Sequence, residues 1–417
     1  MVANVLVEIK KIDKEFTYLV PKNMEQMVSI GIRCKVPFGN KLLEGFIVSI
    51  KDRIDTSFEL KEIIELVDVK PVLNEELMDL GNYLSKKTLC TKINAYETML
   101  PSALKAKQNI NIKEKKVLFL KLINDNGTFN EKESKIINLL KEKDISYKEG
   151  CLISKYAIDK LVKNNIINKY YKEIYRLNND EDIVDLEKTL TFEQQKVINE
   201  IDLNIFKPYL LHGVTGSGKT EVYMQLIKKV IETKQALVLV PEISLTPQLV
   251  NTFKKRFGNK IAILHSHLSN GEKYDEWRKI EKGEVSIVIG ARSAVFAPLN
   301  NIGIIIIDEE HSDNYKQDNN PRYNAIDMAL YRAKRYNCPI ILGSATPSIE
   351  SYTRAKSNIY KLLEMKNRVN KNMPNVTIVD MREEIKNKNT IFSKMLKDKI
   401  KEKLSRNEQI IILLNRR

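Results

Sequence analysis

The sequence contains little that would suit a disulfide-stabilised or membrane-spanning protein. Its 417 residues include only four cysteines, Cys34, Cys90, Cys151 and Cys338, and none stands in a Cys-x-x-Cys pair. This spacing argues against a disulfide framework and against a zinc site in this chain. No run approaches the roughly 18 apolar residues of a membrane span, and the first residues lack the basic start and long apolar stretch of a signal peptide. We therefore expect a cytoplasmic protein with reduced thiols and no membrane partner.

Acidic residues are also scarce relative to basic ones. Lysine and arginine number 69 against 54 aspartates and glutamates, which gives a formal net charge of +15. Such an excess favours a polyanionic partner, nucleic acid first and an anionic membrane surface second. The alternative is a lysine-rich composition with solvated surfaces and no such partner. The length suggests two to four domains.

The first half of the chain divides into three segments of different character. Residues 1–105 contain short, partly alternating stretches between Gly, Pro and Lys turns, which predict a small β-rich domain. Residues 112–176 contain three stretches with helical spacing and then a β-rich ribbon, INKYYKEIYR, which together predict a winged helix. The three predicted helices are KEKKVLFLKLIND, EKESKIINLLKEK and ISKYAIDKLVKNNII. Residues 177–189 are acidic and predict a linker.

From residue 190 onward, apolar strands alternate with amphipathic helices. The predicted strands are YLLHG, ALVLVPE, IAILH, VSIVIG, IGIIIIDEE, PIILGSA and QIIILLN. This alternation is typical of a parallel sheet with helices on its faces. The predicted fold class is therefore multidomain α/β, with a small β-rich domain, a winged helix and a parallel-sheet domain.

Basic residues recur in the predicted winged helix. Three lie along its third helix and three in the ribbon: Lys155, Lys160, Lys163, Lys169, Lys172 and Arg176. Their positions suit contacts with DNA phosphates. A solvated helical face is the alternative.

The segment GVTGSGKT follows a predicted strand and precedes a predicted helix, the context that a phosphate loop requires. Backbone N–H groups of such a loop close around phosphate oxygens, and the helix N-terminus adds a favourable dipole. The predicted ATP-binding residues are Gly213, Val214, Thr215, Gly216, Ser217, Gly218, Lys219 and Thr220. Lys219 is placed to reach the β- and γ-phosphates, and Thr220 to bind magnesium.

Three adjacent carboxylates and a histidine, Asp308 to His311, follow a run of four isoleucines. Like charges this close repel one another, so a cation is expected beside them. We predict that Asp308 holds magnesium and that Glu309 is the general base for the attacking water. The alternative for an Asp-Glu pair at a strand end is a helix N-cap. His311 would link the nucleotide site to elements beyond it.

The segment GSATPS follows another apolar strand, PIIL. Short hydroxyl side chains in this position, Ser344 and Thr346, would sense whether the γ-phosphate is present. A simple kinase has no need of this element, whereas an ATP-driven motor couples hydrolysis to movement between its lobes.

Together, GVTGSGKT, DEEH and GSATPS resemble the first three motifs of superfamily 2 helicases. Further segments narrow the resemblance to the replication-restart helicases of that superfamily: EFTYLVP, VPFGN, VPEISLTPQ, LHSHLS, GARSAVFAP, YKQDNNPRYNA and VDMREE. The resemblance covers the whole chain. It implies a RecA-like motor lobe over residues 190–385 and the start of a second motor lobe over residues 386–417.

The function that the resemblance implies is an ATP-dependent 3′→5′ DNA helicase, which recognises stalled or branched replication forks and initiates primosome assembly. The implied cofactors are ATP and Mg²⁺, with zinc only in a cysteine-rich module absent from this sequence. The implied partners are forked and single-stranded DNA, a single-stranded DNA-binding protein, and primosome or helicase-loading proteins.

The resemblance also implies roles for particular residues. A pocket for the 3′ end of DNA matches Phe16, Thr17, Tyr18, Gly39 and Lys61, although the shared strand face of Phe16 and Tyr18 would equally suit core residues. The family often has Asp where Thr17 stands. Gln194, after Glu193, matches an adenine-sensing segment. The loop that couples DNA contact to hydrolysis matches Tyr315, Lys316, Gln317, Arg322 and Tyr323, and the usual H-A-R-D after it is replaced by Asn324-Ala325-Ile326-Asp327.

The sequence stops at QIIILLNRR, where the resemblance places the beginning of the second lobe. We expect this chain to bind DNA and ATP but to be impaired in hydrolysis and unwinding, because Arg416 and Arg417 are poor substitutes for the arginine of a second lobe. Other functions remain open: a translocase that does not separate strands, and a non-enzymatic fork-binding module. A small-molecule kinase is disfavoured by GSATPS and DEEH.

Overall fold

The computed structural model describes residues 1–9, 13–52, 59–106, 112–177, 188–370, 375–386, 388 and 390–414. The chain forms two compact units, Met1–Val369 and Asn370–Arg417. Most of the predicted linker, residues 178–187, lies outside the described residues, as do Arg416 and Arg417. Within the described part of the chain, no helix has both the length and the apolar character needed to cross a membrane.

The first unit begins with a five-stranded antiparallel sheet, as the sequence predicts for a β-rich domain. Its strands are β1 (Val2–Val7), β2 (Phe16–Leu19), β3 (Arg33–Phe38), β4 (Lys41–Lys51) and β5 (Glu65–Leu66), in the spatial order β2-β1-β4-β3-β5. The apolar residues Ile32, just before β3, and Cys34 and Val36 within it alternate along the chain and are fully buried. Two helices follow, α1 (Glu75–Thr88) and α2 (Lys92–Met99), and then a 3₁₀ turn at Ser102–Leu104.

The next segment contains three strands and two helices: β6 (Lys116–Leu122), α3 (Glu131–Glu142), β7 (Ile145–Ser146), α4 (Tyr147–Lys163) and β8 (Ile167–Glu173). The predicted first helix, KEKKVLFLKLIND, is wrong, because β6 occupies it and pairs along its whole length with β8. Its apolar residues fit a two-residue period as well as a helical one, and the β-rich ribbon supplies the pairing partner. The helix α4 is interrupted at Ser154, whose hydroxyl accepts a hydrogen bond from Ala157 N at 3.2 Å.

A seven-stranded parallel sheet forms the rest of the first unit. Its strands are β9 (Pro208–Gly213), β10 (Gln235–Leu239), β11 (Ile261–Leu264), β12 (Ile287–Gly290), β13 (Ile302–Ile307), β14 (Ile340–Ser344) and β15 (Lys361–Met365). Its helices are α5 (Phe192–Glu200), α6 (Lys219–Val230), α7 (Pro247–Phe257), α8 (Asn270–Glu281), α9 (Ala325–Arg335) and α10 (Ile349–Lys356).

The order of the strands in this sheet is β11-β12-β10-β13-β14-β9-β15. Every residue of β13 is buried, as expected for a strand covered on both faces. The parallel sheet between helices confirms the predicted fold class. Because parallel strands end at the same edge, the segments that follow β13, β14, β9 and β15 lie side by side.

The helix α8 is an anchor for the segments that precede the parallel sheet. Asp275 accepts two hydrogen bonds from Arg176, from the backbone N at 2.8 Å and from Nη1 at 2.7 Å. Arg278 donates to Glu114 at 2.7 Å and to Glu173 at 2.5 Å. The helix α8 also packs on the 3₁₀ turn at residues 102–104. The segment after the N-terminal sheet and the segment of residues 112–176 thus both contact one helix of the parallel-sheet domain.

The described residues of the second unit form two helices, α11 (Met381–Lys386) and α12 (Lys394–Ser405). The strand predicted at QIIILLN is wrong for its described residues, since 409–414 have no regular structure. Ile411 and Leu413 are 97% and 89% exposed. A strand needs hydrogen-bonded neighbours, and the described residues of this unit form no strand with which these could pair.

Candidate nucleotide and DNA sites

The phosphate loop lies between β9 and α6, as the sequence predicts. Gly216 and Gly218 adopt positive φ angles of 80° and 83°, the left-handed conformation that favours glycine. Lys219 opens α6, and its ammonium group donates to Gly213 O at 2.9 Å across the loop. The lysine is therefore held over the centre of the loop, where the β- and γ-phosphates of a nucleotide would enter.

Gln194 braces the phosphate loop from α5. Its side-chain oxygen accepts from Thr191 N at 2.8 Å, and its amide nitrogen donates to Ser217 O at 3.0 Å. The side chain is 3% exposed. These bonds let Gln194 position Ser217 of the phosphate loop, and each end of the amide keeps capacity for one more hydrogen bond. The contact of Gln194 with an adenine ring stays a prediction.

Asp308 directly follows β13 and is paired with a tyrosine from the helix of the phosphate loop. Tyr223, one turn after Lys219, donates its hydroxyl to Asp308 Oδ1 at 3.0 Å. A β-carbon on Gly343 would come within 1.7 Å of that hydroxyl, so the glycine of GSATPS makes room for this contact. Sequence reasoning missed Tyr223, since a tyrosine inside an amphipathic helix is indistinguishable from a core residue.

The environment of Asp308 is suited to a cation. Burial is the main cause that raises the pKa of its carboxyl above the ordinary value, and the neighbouring Glu309 raises it further. The Tyr223 hydrogen bond and the Lys219 charge oppose this rise. Magnesium bound near Asp308 and Thr220 would stabilise the ionised carboxylate, and oxygen ligands of this kind are those that Mg²⁺ prefers. The residues present therefore fit the predicted magnesium site.

Glu309 and His311 lie beside the third motif. Glu309 has a positive φ of 46°, an unusual conformation for a residue with a side chain. His311 Nδ1 lies 2.8 Å from Ser344 Oγ and 3.6 Å from Glu309 Oε2. Ser344 Oγ also accepts from Thr346 N at 3.0 Å. The predicted sensing residues are thus joined to the predicted general base through one histidine.

Glu310 is the third carboxylate of the group, and it has a different role. It is 3% exposed, and its oxygens accept from Ser348 N at 2.7 Å, Ser348 Oγ at 3.0 Å and Ser351 Oγ at 2.9 Å. These donors begin α10. Glu310 therefore holds the second and third motifs together. Of the three adjacent carboxylates, Asp308 and Glu309 are left for the predicted magnesium and general-base roles, and Glu310 has a structural one.

The loop after DEEH places its two tyrosines inside the protein. Tyr315 is 1% exposed, and its hydroxyl oxygen lies 2.6 Å from Asp308 O and 3.1 Å from Leu239 O, which share its single proton. Tyr323 is 3% exposed and packs on Phe296 with ring centroids 5.0 Å apart. Lys316 and Arg322 are exposed. The two tyrosines fix the loop to the protein, and Lys316 and Arg322 lie at its surface, accessible to DNA.

A polar cavity of about 370 Å³ lies between this loop and the ends of several strands. Its lining includes Thr98, Pro241, Glu242, His265, Lys273, Arg292, Ser293, Lys316, Gln317 and Tyr323. Gln317 is held by hydrogen bonds with Pro321 and Tyr323. The cavity thus brings together the coupling loop, VPEISLTPQ, LHSHLS and GARSAVFAP, which are far apart in the sequence.

The predicted residues for a DNA 3′ end differ in how much of each side chain is exposed. Tyr18 is 4% exposed, so the core interpretation holds for it and its ring is not presented to a base. Phe16 is half-buried and packs edge-on against Phe38, with centroids 5.0 Å apart. Thr17 donates to Asn4 Oδ1 at 2.8 Å. Gly39 and Lys61 are exposed. Of the two aromatic residues, only Phe16 offers partial access.

Several cations of residues 112–176, the predicted winged helix, form ion pairs within the protein. Lys160 pairs with the buried Glu133 at 2.8 Å, Lys169 with Asp159 at 2.9 Å, and Arg176 with Asp275 at 2.7 Å. Lys155 and Lys163 are exposed on α4, and the described residues provide no ion pair for them. The predicted phosphate contacts are therefore strongest at Lys155 and Lys163. The described residues contain no group of three or more His, Cys, Asp or Glu arranged to hold a metal ion.

Comparison with known proteins identifies two domains in the chain. Residues 191–355 match the sequence model of the DEAD/DEAH box helicases, and residues 4–101 match a 3′ DNA-binding domain described for PriA. The parallel sheet, the phosphate loop and the DEEH carboxylates thus define a helicase ATPase domain. Among solved structures, RecG bound to a three-way DNA junction is 23% identical over 45% of this chain and 25% of its own, with a TM-score of 0.31.

The relatives specify the family. The replication restart protein PriA of Bacillus subtilis is 41% identical over all of this chain and 62% of its own length. PriA of Chlamydia muridarum is 34% identical over all of this chain and 58% of its own length. The chain belongs to the PriA family of replication restart proteins, and it spans about three fifths of the length of these relatives.

Proposed function

We propose that this chain supplies the DNA-binding and ATP-binding parts of a 3′→5′ DNA helicase that recognises branched replication forks and initiates their restart. Membership of the PriA family supports a role in replication restart. The nucleotide site and the cavity beside the coupling loop support an ATP-dependent action on DNA. The partners implied by this role, a single-stranded DNA-binding protein and helicase-loading proteins, belong to the same proposal.

The observation that carries the proposal is the position of the Tyr315 hydroxyl. Its one proton is shared between the backbone oxygens of Asp308, in the nucleotide site, and of Leu239, which precedes the cavity-lining residues Val240 and Pro241. A strand of DNA in the cavity would displace the loop that carries Tyr315, and Asp308 would move with it. This contact gives a physical route from DNA binding to ATP hydrolysis.

In the nucleotide site, each residue has a task that its position supports. Lys219 and the N–H groups of the phosphate loop bind phosphate oxygens, Asp308 and Thr220 hold magnesium, and Glu309 accepts a proton from the attacking water. Magnesium, when bound, would neutralise charge on the phosphates. His311, through its contact with Ser344, connects this site to the third motif.

The proposal is tested by measuring ATP hydrolysis and DNA binding with defined forks. We expect ATP to bind, hydrolysis to rise on addition of forked DNA, and fork affinity to fall steeply with salt because counterions are released. A fork whose 3′ end carries a phosphate should bind less well than one with a 3′ hydroxyl. A chain that binds forks but never ATP would instead be a non-enzymatic fork-binding module. Slow hydrolysis by this chain alone stays a prediction.

A further inference from the structure

A second, smaller cavity adjoins the polar cavity beside the coupling loop. It has a volume of about 180 Å³, and we call it the side pocket. One wall is formed by residues 98–102, at the end of α2 and the start of the 3₁₀ turn, and the other by the end of β11 and by α8. The residues that line both cavities are Thr98, His265, Lys273 and Ser293. A ligand in the polar cavity therefore lies beside the side pocket.

The side pocket differs from the polar cavity in its chemistry. Glu242 and Asp318 line the polar cavity, whereas no carboxylate occurs among the described residues that line the side pocket. Its apolar lining consists of Met99, Leu100, Pro101 and Leu264. Its polar side chains are three hydroxyl groups, the ammonium of Lys273, an imidazole and an indole. This lining suits a ligand that is largely apolar and rich in hydrogen-bond acceptors.

Two ring nitrogens of the lining lack partners. The indole Nε1 of Trp277 and the Nδ1 of His265 are both buried and, within the described part of the chain, neither forms a hydrogen bond. Trp277 as a whole is only 4% exposed. Buried polar groups are almost always paired, because an unpaired one costs free energy. A ligand that bonded to both nitrogens would remove this cost.

The two nitrogens provide one donor and one acceptor. An indole nitrogen can only donate. Burial is the main cause that lowers the pKa of His265 below its ordinary value, and His267 and Lys273 lower it further. The imidazole is therefore uncharged at neutral pH, and one of its nitrogens can accept. A ligand with a carbonyl oxygen next to an N–H group would match this pair.

Among the DNA bases, thymine fits this description. Its ring carries two carbonyl oxygens on either side of N3–H, and its methyl group is apolar. A cavity of about 150 Å³ accommodates benzene, so the side pocket has room for a pyrimidine ring. Purines are larger, and cytosine has an amino group in place of one carbonyl and no N3–H. An unpaired strand turns a base outward at less cost than a duplex does.

We propose that the side pocket binds a thymine base that turns out of a single strand of DNA lying in the polar cavity. Trp277 donates to a carbonyl oxygen of the base, His265 accepts from its N3–H, and the apolar wall contacts its methyl group. This inference deepens the proposed function and rests on it, since it presumes that the polar cavity holds DNA.

The test compares the binding of labelled thymidine and cytidine strands of equal length by fluorescence anisotropy. Wild type should bind the thymidine strand about fivefold more tightly, as expected for one additional hydrogen bond. Trp277→Phe keeps an aromatic ring but removes the N–H group. It should abolish this preference and leave the affinity for cytidine within about twofold of wild type.

A substitution that fills the side pocket provides an independent variant. Ser102 lines the side pocket but not the polar cavity, so Ser102→Leu should also abolish the thymidine preference. Ser102→Ala, which leaves the space open, is the matched control and should bind both strands like wild type.

Trp277 is itself a probe of the pocket, since it is the only tryptophan of the chain. Its fluorescence emission should change on addition of the thymidine strand, but not with an abasic strand of the same length. Thymidine monophosphate should change the emission only at concentrations far above those at which the strand binds. An equal response to the monophosphate at the strand's concentration would make this a site for free nucleotides and overturn the proposal.

Other results would also overturn it, in variants whose melting temperature matches wild type. One is an undiminished thymidine preference in Trp277→Phe or in Ser102→Leu, and if one of these does not fold, the other decides. Another is equal affinity of wild type for the two strands. If neither strand bound to wild type, the proposed function would fail first, so the two failures are distinguishable.

Discussion

Arg332 of α9 and Glu76 of α1 form a buried two-pronged ion pair. Arg332 Nε lies 2.8 Å from Glu76 Oε1 and Nη2 lies 3.0 Å from Oε2, while Nη1 donates to Val295 O at 2.7 Å. The arginine has no exposed surface, and the glutamate is 6% exposed. The pair connects the helix that follows the N-terminal sheet with the helix that follows the coupling loop.

Glu76→Ala should lower the free energy of unfolding by about 3–5 kcal/mol, because it leaves a buried guanidinium without its counter-charge. Urea unfolding of the chain measures this. The control is Lys87→Ala, which removes an exposed pair with Asp327 at 3.7 Å and should cost no more than about 1 kcal/mol. If both substitutions lowered the free energy of unfolding by the same amount, burial would not be what makes the Arg332–Glu76 pair important for stability.

Lys219→Ala should weaken ATP binding by at least about tenfold, because a charge-assisted contact with the phosphates is lost. Calorimetry with ATP and magnesium measures the change. Lys229→Ala, at the exposed far end of the same helix, should bind ATP like wild type. If wild type and Lys219→Ala bound ATP with the same affinity, residues 213–220 would not be the phosphate-binding loop.

Asp308→Asn should make the nucleotide-free protein more stable at neutral pH. The folded state raises the pKa of Asp308 through burial, so stability is lost as pH rises from the ordinary aspartate pKa toward the folded value. The asparagine removes this loss, and its advantage should shrink as pH falls toward about 4. Asp159→Asn is a control of opposite sign, because the hydrogen bond from Lys169 lowers the pKa of Asp159. Thermal melts in chelator across this pH range distinguish the two.

Lys163→Ala should reduce the slope of log affinity against log salt for duplex DNA by about one, as expected when one phosphate contact is removed. Lys160→Ala lies on the same helix but already pairs with Glu133, and should leave the slope unchanged. Fluorescence anisotropy at several salt concentrations gives both slopes. A larger change for Lys160 would mean that the paired lysine faces DNA and the exposed one does not.

Tyr315→Phe should reduce the stimulation of ATP hydrolysis by forked DNA while leaving ATP affinity unchanged. The substitution keeps the buried ring but removes the hydroxyl that bonds to Asp308 O and Leu239 O. Steady-state hydrolysis with and without DNA, beside calorimetry, separates the two effects. Undiminished stimulation would show that DNA binding reaches the nucleotide by another route.

Local patterns were sufficient to predict the phosphate loop and the carboxylates at the end of β13. Both segments directly follow buried strands. An uninterrupted apolar run such as IGIIII is typical of a strand in a parallel sheet that is covered on both faces. The roles of Tyr223 and Glu310 could not be predicted in this way. Each acts on a residue that is distant in sequence, and only the order of the strands brings them together.

The errors have a similar origin. The stretch KVLFLKL satisfies helical and strand periods alike, and its pairing with β8 decides between them. Tyr18 and Phe16 occupy the same face of β2, yet one ring is closed off and the other is half open. The depth of a side chain depends on what covers the face, which a strand's own sequence does not specify.

Glu310 has a consequence for how the ATPase domain can change shape. Any motion that separated α10 from the end of β13 would strip three donors from a buried carboxylate, a change that costs several kcal/mol by the usual scale for such groups. The second and third motifs must therefore shift together as one rigid body. A displacement of α10 would therefore change the positions of Glu309 and His311 at the same moment. The two motifs would respond in a single step.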